Sequence, residues 1–395
     1  MLSTEHKQIV TSTVPLLEAG GEALTSYFYD LLLKERADLR GMFNSAHQAS
    51  GAQARALAGG VLMYAKHIDQ LDALGELAGR VVNKHVSLQV QPEHYPIIGE
   101  YLLRSIREVL GSEVATPVVL EAWGAAYGQL ADMLIAAEQD MYGSQAATVG
   151  GWRGFRTFRV AERVVESAEI VSFYLEPTDG GPVMVNAPGQ YIAIQVVVDG
   201  APLRRNYSLS AISDGKRYRI SVKRDPGGVV SGFLHEHAKV GDTVELTAPA
   251  GVFQLVEGTR PLVLIGGGVG QTPLMAMLEA ATHHGARDIY YVHFARNPAV
   301  QAFRARVEEL AAACPRVKFA LFYDEDPSVP GGLAPGRVSR ELLASALPAE
   351  RDVDVYIVGP APFMTSVIKL LVELGVPADR CNTEFFGPHQ EMALN

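Results

Sequence analysis

The chain has 395 residues, too many for one ordinary core, so two or three domains are expected. Hydrophobic residues make up 48% and the formal net charge is −10, which argues against nucleic acid or an anionic membrane as partner. The two cysteines, Cys314 and Cys381, stand apart in the last third; they offer no metal or redox spacing and no disulfide framework, as fits a reducing cytosol.

The first residues, Met1 to Lys7, carry no signal-peptide pattern, so a cytoplasmic location is expected. Two uncharged runs, Gly180 to Val198 and Pro261 to Leu278, are broken by glycine and proline and do not read as membrane spans. The sequence shows no internal repeat and no low-complexity tract.

From Thr4 to Glu18 the periodicity is helical, and Pro15 is expected to break it. Gly21 to Lys34 holds Leu24, Tyr27, Phe28, Tyr29, Leu31, Leu32 and Leu33, apolar nearly all round, which marks a helix buried in a core. Tyr29 is then a buried phenol whose hydroxyl wants a partner, or an ordinary core tyrosine. Gln53, Leu57, Val61 and Tyr64 form the next stripe, with Phe43 in the connection before it. Gln53 reads equally as a surface residue at a helix start and as a polar group on an apolar face.

Leu74, Ala78, Val81, His85 and Leu88 place His85 on the core-facing stripe of a helix that should stop before Pro92. A histidine there is most often bonded to a backbone carbonyl. The alternative is an axial haem ligand, a neutral imidazole facing an apolar cavity. The last helix of this region is expected from Val118 to Met141, with Leu120, Trp123, Tyr127, Leu130 and Leu134 as its core stripe. One turn further stands Glu138, either past the edge of the core or aimed inward at a partner.

Gly150-Gly151 ends the helical pattern and the period changes to two. Strand-like runs follow at Arg156 to Ala161, Glu169 to Glu176, Gln190 to Val198, Arg205 to Ser210, Tyr218 to Lys223 and Asp242 to Leu246, and suggest an antiparallel barrel. Within them, Arg205 of Arg205-Asn206-Tyr207-Ser208 can pair with a phosphate, Tyr207 can stack on a ring system and Ser208 can bond its edge; a plain edge strand fits as well. Gly227-Gly228-Val229-Val230-Ser231 opens a short helix, where backbone amides suit a pyrophosphate, or is a simple hairpin turn.

The apolar run Pro261 to Ile265, the loop Gly266 to Pro273 and the helical Leu274 to Thr282 give the strand–turn–helix context of a dinucleotide loop. Thr272 is expected as its N-cap and Pro273 as its first helical residue. Strands at Ile289 to Phe294, Val317 to Phe322 and Val355 to Val358 alternate with helices at Ala302 to Ala313 and Phe363 to Leu374, arguing a doubly wound parallel sheet. Its carboxyl ends would place Gly359-Pro360-Ala361-Pro362 beside a nicotinamide. Arg296, after the second strand, could accept a 2′-phosphate or be plain surface, leaving NADH against NADPH open.

Lys84-His85 and Pro92-Glu93-His94-Tyr95, with Phe43 and Gln53 ahead of them at the family's spacing, resemble the flavohaemoglobins. Arg205-Asn206-Tyr207-Ser208 resembles the R-x-Y-S motif of ferredoxin-reductase-like flavin domains, and Gly268-Val269-Gly270-Gln271-Thr272-Pro273 the G-x-G-x-x-P loop of their nicotinamide domains. The resemblance covers nearly the whole chain. It implies an all-α globin domain at 1–148, an antiparallel β-barrel FAD domain at 149–257 and an α/β doubly wound NAD(P)-binding domain at 258–395, holding haem b, FAD and NAD(P)H.

By this resemblance His85 is the proximal iron ligand, and Tyr95 and Glu138 bond to it and give the ring imidazolate character, which favours dioxygen activation. Tyr29 and Gln53 would hold dioxygen, with Phe43 on the haem plane and Leu57 in the distal pocket. Lys84 would also serve catalysis, and Glu384 would lie near the electron path to haem. FAD would meet Tyr191, Arg205, Asn206, Tyr207, Ser208, Gly228, Val229 and Ser231; the dinucleotide would meet Gly268 through Pro273. Phe385, Phe386, Gly387 and Pro388 would close over the flavin. Val358 stands where the family has a cysteine, which puts a thiol role in doubt.

The implied activity is that of a nitric oxide dioxygenase: NAD(P)H reduces FAD, FAD reduces haem, and dioxygen held there oxidises nitric oxide to nitrate. Alternatives are an oxygen-binding or sensing globin with a built-in flavin reductase, and an NAD(P)H-dependent ferric or hydroperoxide reductase. A cytoplasmic monomer is expected, without nucleic acid or stable membrane insertion.

Overall fold

The computed structural model describes residues 2–43, 48, 50–283, 285–324 and 338–386. Helix α1 (Thr4–Ser12) is capped by Ser3 Oγ, which accepts the His6 amide N–H at 3.0 Å. Helix α2 (Val14–Glu35) follows almost at once. The expected break at Pro15 is corrected: Pro15 stands in the first turn of α2, where an amide N–H has no intrahelical partner, so it starts a helix and does not end one. Leu24, Phe28, Tyr29 and Leu32 of α2 are buried, as its all-round apolarity requires.

Helix α3 spans Ala52–Lys66 and α4 spans Gly75–Leu88. The chain leaves α4 through Gln89, in the left-handed conformation at φ 60°, before Pro92. Helices α5 (His94–Val114) and α6 (Pro117–Ala147) complete the helical part; α6 opens on a proline and runs past the expected end at Met141. These two helices approach through Gly99, where a Cβ would meet Tyr127 Cε1 at 2.6 Å. Tyr127 in turn donates to the Tyr95 carbonyl at 2.7 Å, so this close approach fixes the start of α5.

Six strands follow: β1 (Arg156–Val165), β2 (Ile170–Pro177), β3 (Tyr191–Val198), β4 (Ala201–Ser208), β5 (Tyr218–Lys223) and β6 (Thr243–Leu246). Their order is β4-β3-β6-β1-β2-β5, with antiparallel pairing throughout. A bridge between Leu209 and Ile220 joins the two edges, so the sheet closes on itself. Phe158, Ile192, Ile194, Ile220 and Leu246 fill the interior. Helix α7 (Val229–Glu236) lies beside it.

The last part alternates β7 (Leu262–Gly267), α8 (Gln271–His283), β8 (Ile289–Ala295), α9 (Arg304–Ala313), β9 (Val317–Tyr323), α10 (Arg340–Ala346), β10 (Asp354–Val358), α11 (Ala361–Glu373) and β11 (Cys381–Glu384). All pairs are parallel, in the order β11-β10-β7-β8-β9. The sequence pattern did not mark β11 or α10. Thr272 is not the N-cap: α8 begins at Gln271, and the Thr272 hydroxyl donates to the Val269 carbonyl at 3.1 Å. Pro273 still falls in the first turn, where it is tolerated. No helix among the described residues is long and apolar enough to cross a membrane.

Gly99→Ala is expected to push Tyr127 off its bond to Tyr95 and to destabilise the chain by about 1–3 kcal/mol. Chemical denaturation of both proteins checks this; an unchanged midpoint would show that the two helices give way freely.

Candidate functional site

The side of α4 carrying Val82 and Val86 packs on Tyr142, and His85 stands half-exposed on the same helix. Its Nδ1 lies 2.7 Å from Glu138 Oε1 and 3.1 Å from the Tyr95 hydroxyl. Tyr95 donates to the same carboxylate oxygen at 2.5 Å. Glu138 is 1% exposed, so of its two readings the inward one holds. A carboxylate only accepts, so Nδ1 carries the proton and Nε2 is left with its lone pair. Nε2 has no hydrogen-bond partner among the described residues. Burial, and then the bond to Glu138, push the Tyr95 phenol far above its usual pKa.

Tyr29, 8% exposed, sits edge-on to Phe28 at 5.0 Å and to Phe43 at 5.7 Å between ring centroids. Burial holds its phenol in the neutral, donating form, and a side-chain bond with Gln53 works against that rise. Gln53 accepts from Gln48 Nε2 at 2.9 Å. Leu57 and Phe43 pack half-buried on the same core, so Tyr29, Gln53, Phe43 and Leu57 come together.

The next turn of α4 meets the barrel. Asn206 Nδ2 donates to Ser87 Oγ at 3.0 Å, and Ser87 donates to the Lys84 carbonyl at 2.8 Å. Arg204 donates to the Leu88 carbonyl at 2.6 Å, and the Gly251 amide donates to Asn83 Oδ1 at 2.7 Å. Arg205 Nη1 reaches the Arg204 and Phe43 carbonyls at 2.7 and 3.4 Å. Ser87, Arg204 and Asn83 escaped the sequence reading as junction residues, because their partners across the junction come from distant segments.

Lys84 Nζ lies 5.8 Å from the centroid of Tyr191, a β3 residue paired with Ser208. Tyr191 and Tyr207 are both held neutral by burial. Crowding by protein lowers the Lys84 pKa, which Glu384 opposes. Burial raises the Glu384 carboxyl to about 7, against the pull of Lys84 and Arg80. Glu384 ends β11, so helical, barrel and α/β parts converge here. Phe385 packs on the α/β core and Phe386 is exposed, while Gly387 and Pro388 lie outside the described residues.

Two glycine loops are built for close approach. At Gly228, which precedes Val229 and the start of α7, a Cβ would lie 2.5 Å from Ser231 Oγ. That hydroxyl is turned inward, donating to the Gly228 carbonyl and accepting the Asp225 amide, both at 3.2 Å. Asn206 Oδ1 is buried without a partner, an acceptor open to a donating ligand. At Gly270 a Cβ would lie 2.2 Å from the Val358 carbonyl, so only glycine lets the loop reach β10. Val358 itself points into the core. Gln271, Thr272 and Pro273 are buried, and within the loop only Gly268 and Val269 are partly open to solvent. Arg296 is engaged: Nη2 lies 2.5 Å from Glu169 Oε2, bridging to the barrel part.

A globin fold carrying a flavin- and nicotinamide-binding oxidoreductase is the class this architecture defines. The globin family model matches residues 26–134, the oxidoreductase FAD-binding domain 157–255 and the oxidoreductase NAD-binding domain 264–369. The flavohemoprotein of Pseudomonas putida is 56% identical over 388 residues, 98% of this chain and 99% of that one. That of Deinococcus radiodurans is 46% identical over 400 residues, covering 100% and 99%. The crystal structure of the flavohemoglobin of Malassezia yamatoensis, with bound FAD and heme, superposes with a TM-score of 0.86 at 30% identity, over 98% of this chain and 100% of that one. The FAD/NAD-binding domain of the nitric oxide dioxygenase of Vibrio cholerae gives 0.55 at 41% identity, over 59% of this chain and 99% of that one. The chain belongs to the flavohemoprotein family.

Because the folded Glu384 binds its proton more tightly than an unfolded carboxyl at 4.5, ionising it opposes folding, and stability falls as pH rises through about 7. Glu384→Gln is expected to gain on the native chain by on the order of 2 kcal/mol between about pH 5 and about pH 9. Denaturant titrations at both pH values test this; parallel pH profiles would contradict it.

Proposed function

We propose that this chain is an NAD(P)H-dependent nitric oxide dioxygenase, with modules at 1–148, 149–257 and 258–395. The observation that carries the reading is the bonding of His85 Nδ1 to Glu138, with Tyr95 on the same carboxylate, which leaves Nε2 as a strong neutral donor. That donor set fits a haem, and the orphaned Asn206 Oδ1 with the Gly228 cradle fits a flavin. When bound, haem supplies the iron at which dioxygen and nitric oxide combine, and FAD converts a hydride into single electrons.

The chain's own residues would do the rest. His85 holds the iron, and Glu138 and Tyr95 fix its ring and raise its basicity. Tyr29, held neutral by burial, donates a hydrogen bond on the distal side, and Gln53 steadies it. Phe43 and Leu57 wall the haem. Tyr191, Arg205, Asn206, Tyr207, Ser208, Gly228, Val229 and Ser231 frame the flavin. Gly268 through Pro273 would take the dinucleotide, and Phe385 and Phe386 would cover the flavin. Lys84 and Glu384 place a titratable pair where the three modules meet. The related domain from Vibrio cholerae, named for a nitric oxide dioxygenase, supports this choice of reaction. We infer a cytoplasmic monomer acting on dioxygen and nitric oxide.

Nitric oxide, dioxygen and one electron balance to nitrate, so each hydride serves two nitric oxide molecules. In air, NADH consumption should accelerate on adding nitric oxide, with about two nitrates formed per NADH. Slow turnover without nitrate would favour a sensing globin with its own reductase. Tyr29→Phe keeps the ring and loses the donor, so dioxygen should leave the ferrous protein roughly 10- to 150-fold faster, and carbon monoxide much less so. Stopped-flow release of both gases checks this; an unchanged dioxygen rate would pass the role to Gln53.

A further inference from the structure

Strand β8 carries an imidazole into the apolar layer beneath the dinucleotide loop. His293 pairs with Gly266 of β7 and is 1% exposed. Tyr291 stacks on it at 6.5 Å between centroids, and a Cβ on Gly266 would lie 3.2 Å from its Cδ2. His293 Nε2 lies 3.0 Å from the Gly268 carbonyl oxygen. A carbonyl only accepts, so Nε2 bears the proton. Nδ1 is then a bare acceptor, buried and without a partner. Burial lowers the ring's pKa to about 4, which keeps it neutral at physiological pH.

Gly268 sits at φ 55°, a left-handed conformation that glycine adopts without strain. Its carbonyl accepts from the Gln271 amide as well as from His293. In a trans peptide the carbonyl of one residue and the amide N–H of the next point in opposite directions. Holding the Gly268 carbonyl inward therefore turns the Val269 N–H outward, into the crevice at the carboxyl ends of the strands where such folds bind a pyrophosphate. The reverse orientation would set a carbonyl oxygen against phosphate oxygens.

We propose that His293 is a positioning residue for the nicotinamide dinucleotide: its Nε2–H locks the Gly268–Val269 peptide so that the Val269 amide faces the diphosphate. This rests on the nicotinamide reading of the loop.

Calorimetric titration of the purified holoprotein with ADP-ribose, which carries the diphosphate without redox chemistry, tests the assignment. His293→Phe should weaken ADP-ribose binding roughly 5- to 50-fold while leaving adenosine binding nearly unchanged. His293→Gln, which keeps an N–H near the Nε2 position, should recover most of the loss. Native-like binding by His293→Phe, or equal losses for Phe and Gln, would overturn the proposal. Failure of the unaltered protein to bind ADP-ribose would instead overturn the nicotinamide reading itself. If His293→Phe does not retain flavin, nitrogen-15 valine labelling of the unaltered chain gives a second measurement. The Val269 amide resonance should move on ADP-ribose addition, and an unmoved resonance would overturn the assignment.

Discussion

A carboxylate that is 1% exposed must be paired or neutralised, and Glu138 is paired with His85 and Tyr95 on a single oxygen. Much of the helical part serves that arrangement. Helix α6 must run long enough to bring Glu138 under α4, and Tyr127, seated against Gly99, ties α6 to the first turn of α5, where Tyr95 stands. The outcome is chemical: the ring's tautomer is fixed, and its outer nitrogen is more basic than that of a histidine bonded to a backbone carbonyl.

The same helix joins the modules. His85 faces one way, while Ser87, Lys84 and Asn83 face the barrel or the last strand of the α/β sheet. Asn206 and Arg204 bond to α4 from strand β4, which also bears the residues proposed to frame the flavin. With haem and flavin bound, these direct hydrogen bonds between α4 and the barrel part would hold the separation of the two groups. Lys84 and Glu384 feel each other's charge at this junction: crowding by protein lowers the Lys84 pKa and burial raises that of Glu384, each against the pull of the opposite charge.

Local patterns announced most of this fold. All-round apolarity marked α2, the change of period marked the barrel, and a glycine turn between strand and helix marked the dinucleotide loop. Boundaries were less legible where one residue fits two roles. Pro15 can end a helix or begin one, and only the tertiary packing of Leu24 and Phe28 decides. Thr272 can accept at a cap or donate to a carbonyl, and the close approach of Gly270 to β10 selects the second. His85, Tyr29 and Gln53 were readable as polar residues on apolar faces. Ser87, Arg204 and His293 were not, because their partners come from distant segments and no local spacing records them. Arg296, readable as a phosphate partner or as plain surface, carries an ion pair to Glu169 of the barrel part that no local spacing records.

The central claim is that the buried Glu138 carboxylate sets the basicity of His85. It is tested most directly by the iron–histidine stretching frequency of the reduced protein, read by resonance Raman spectroscopy in the native chain and in Glu138→Gln. The carboxamide keeps the shape and can still accept from Nδ1, but it carries no charge. The account predicts a lower frequency in Glu138→Gln, because a less basic imidazole binds iron more weakly. The same frequency in both proteins would contradict it and reduce Glu138 to a packing residue.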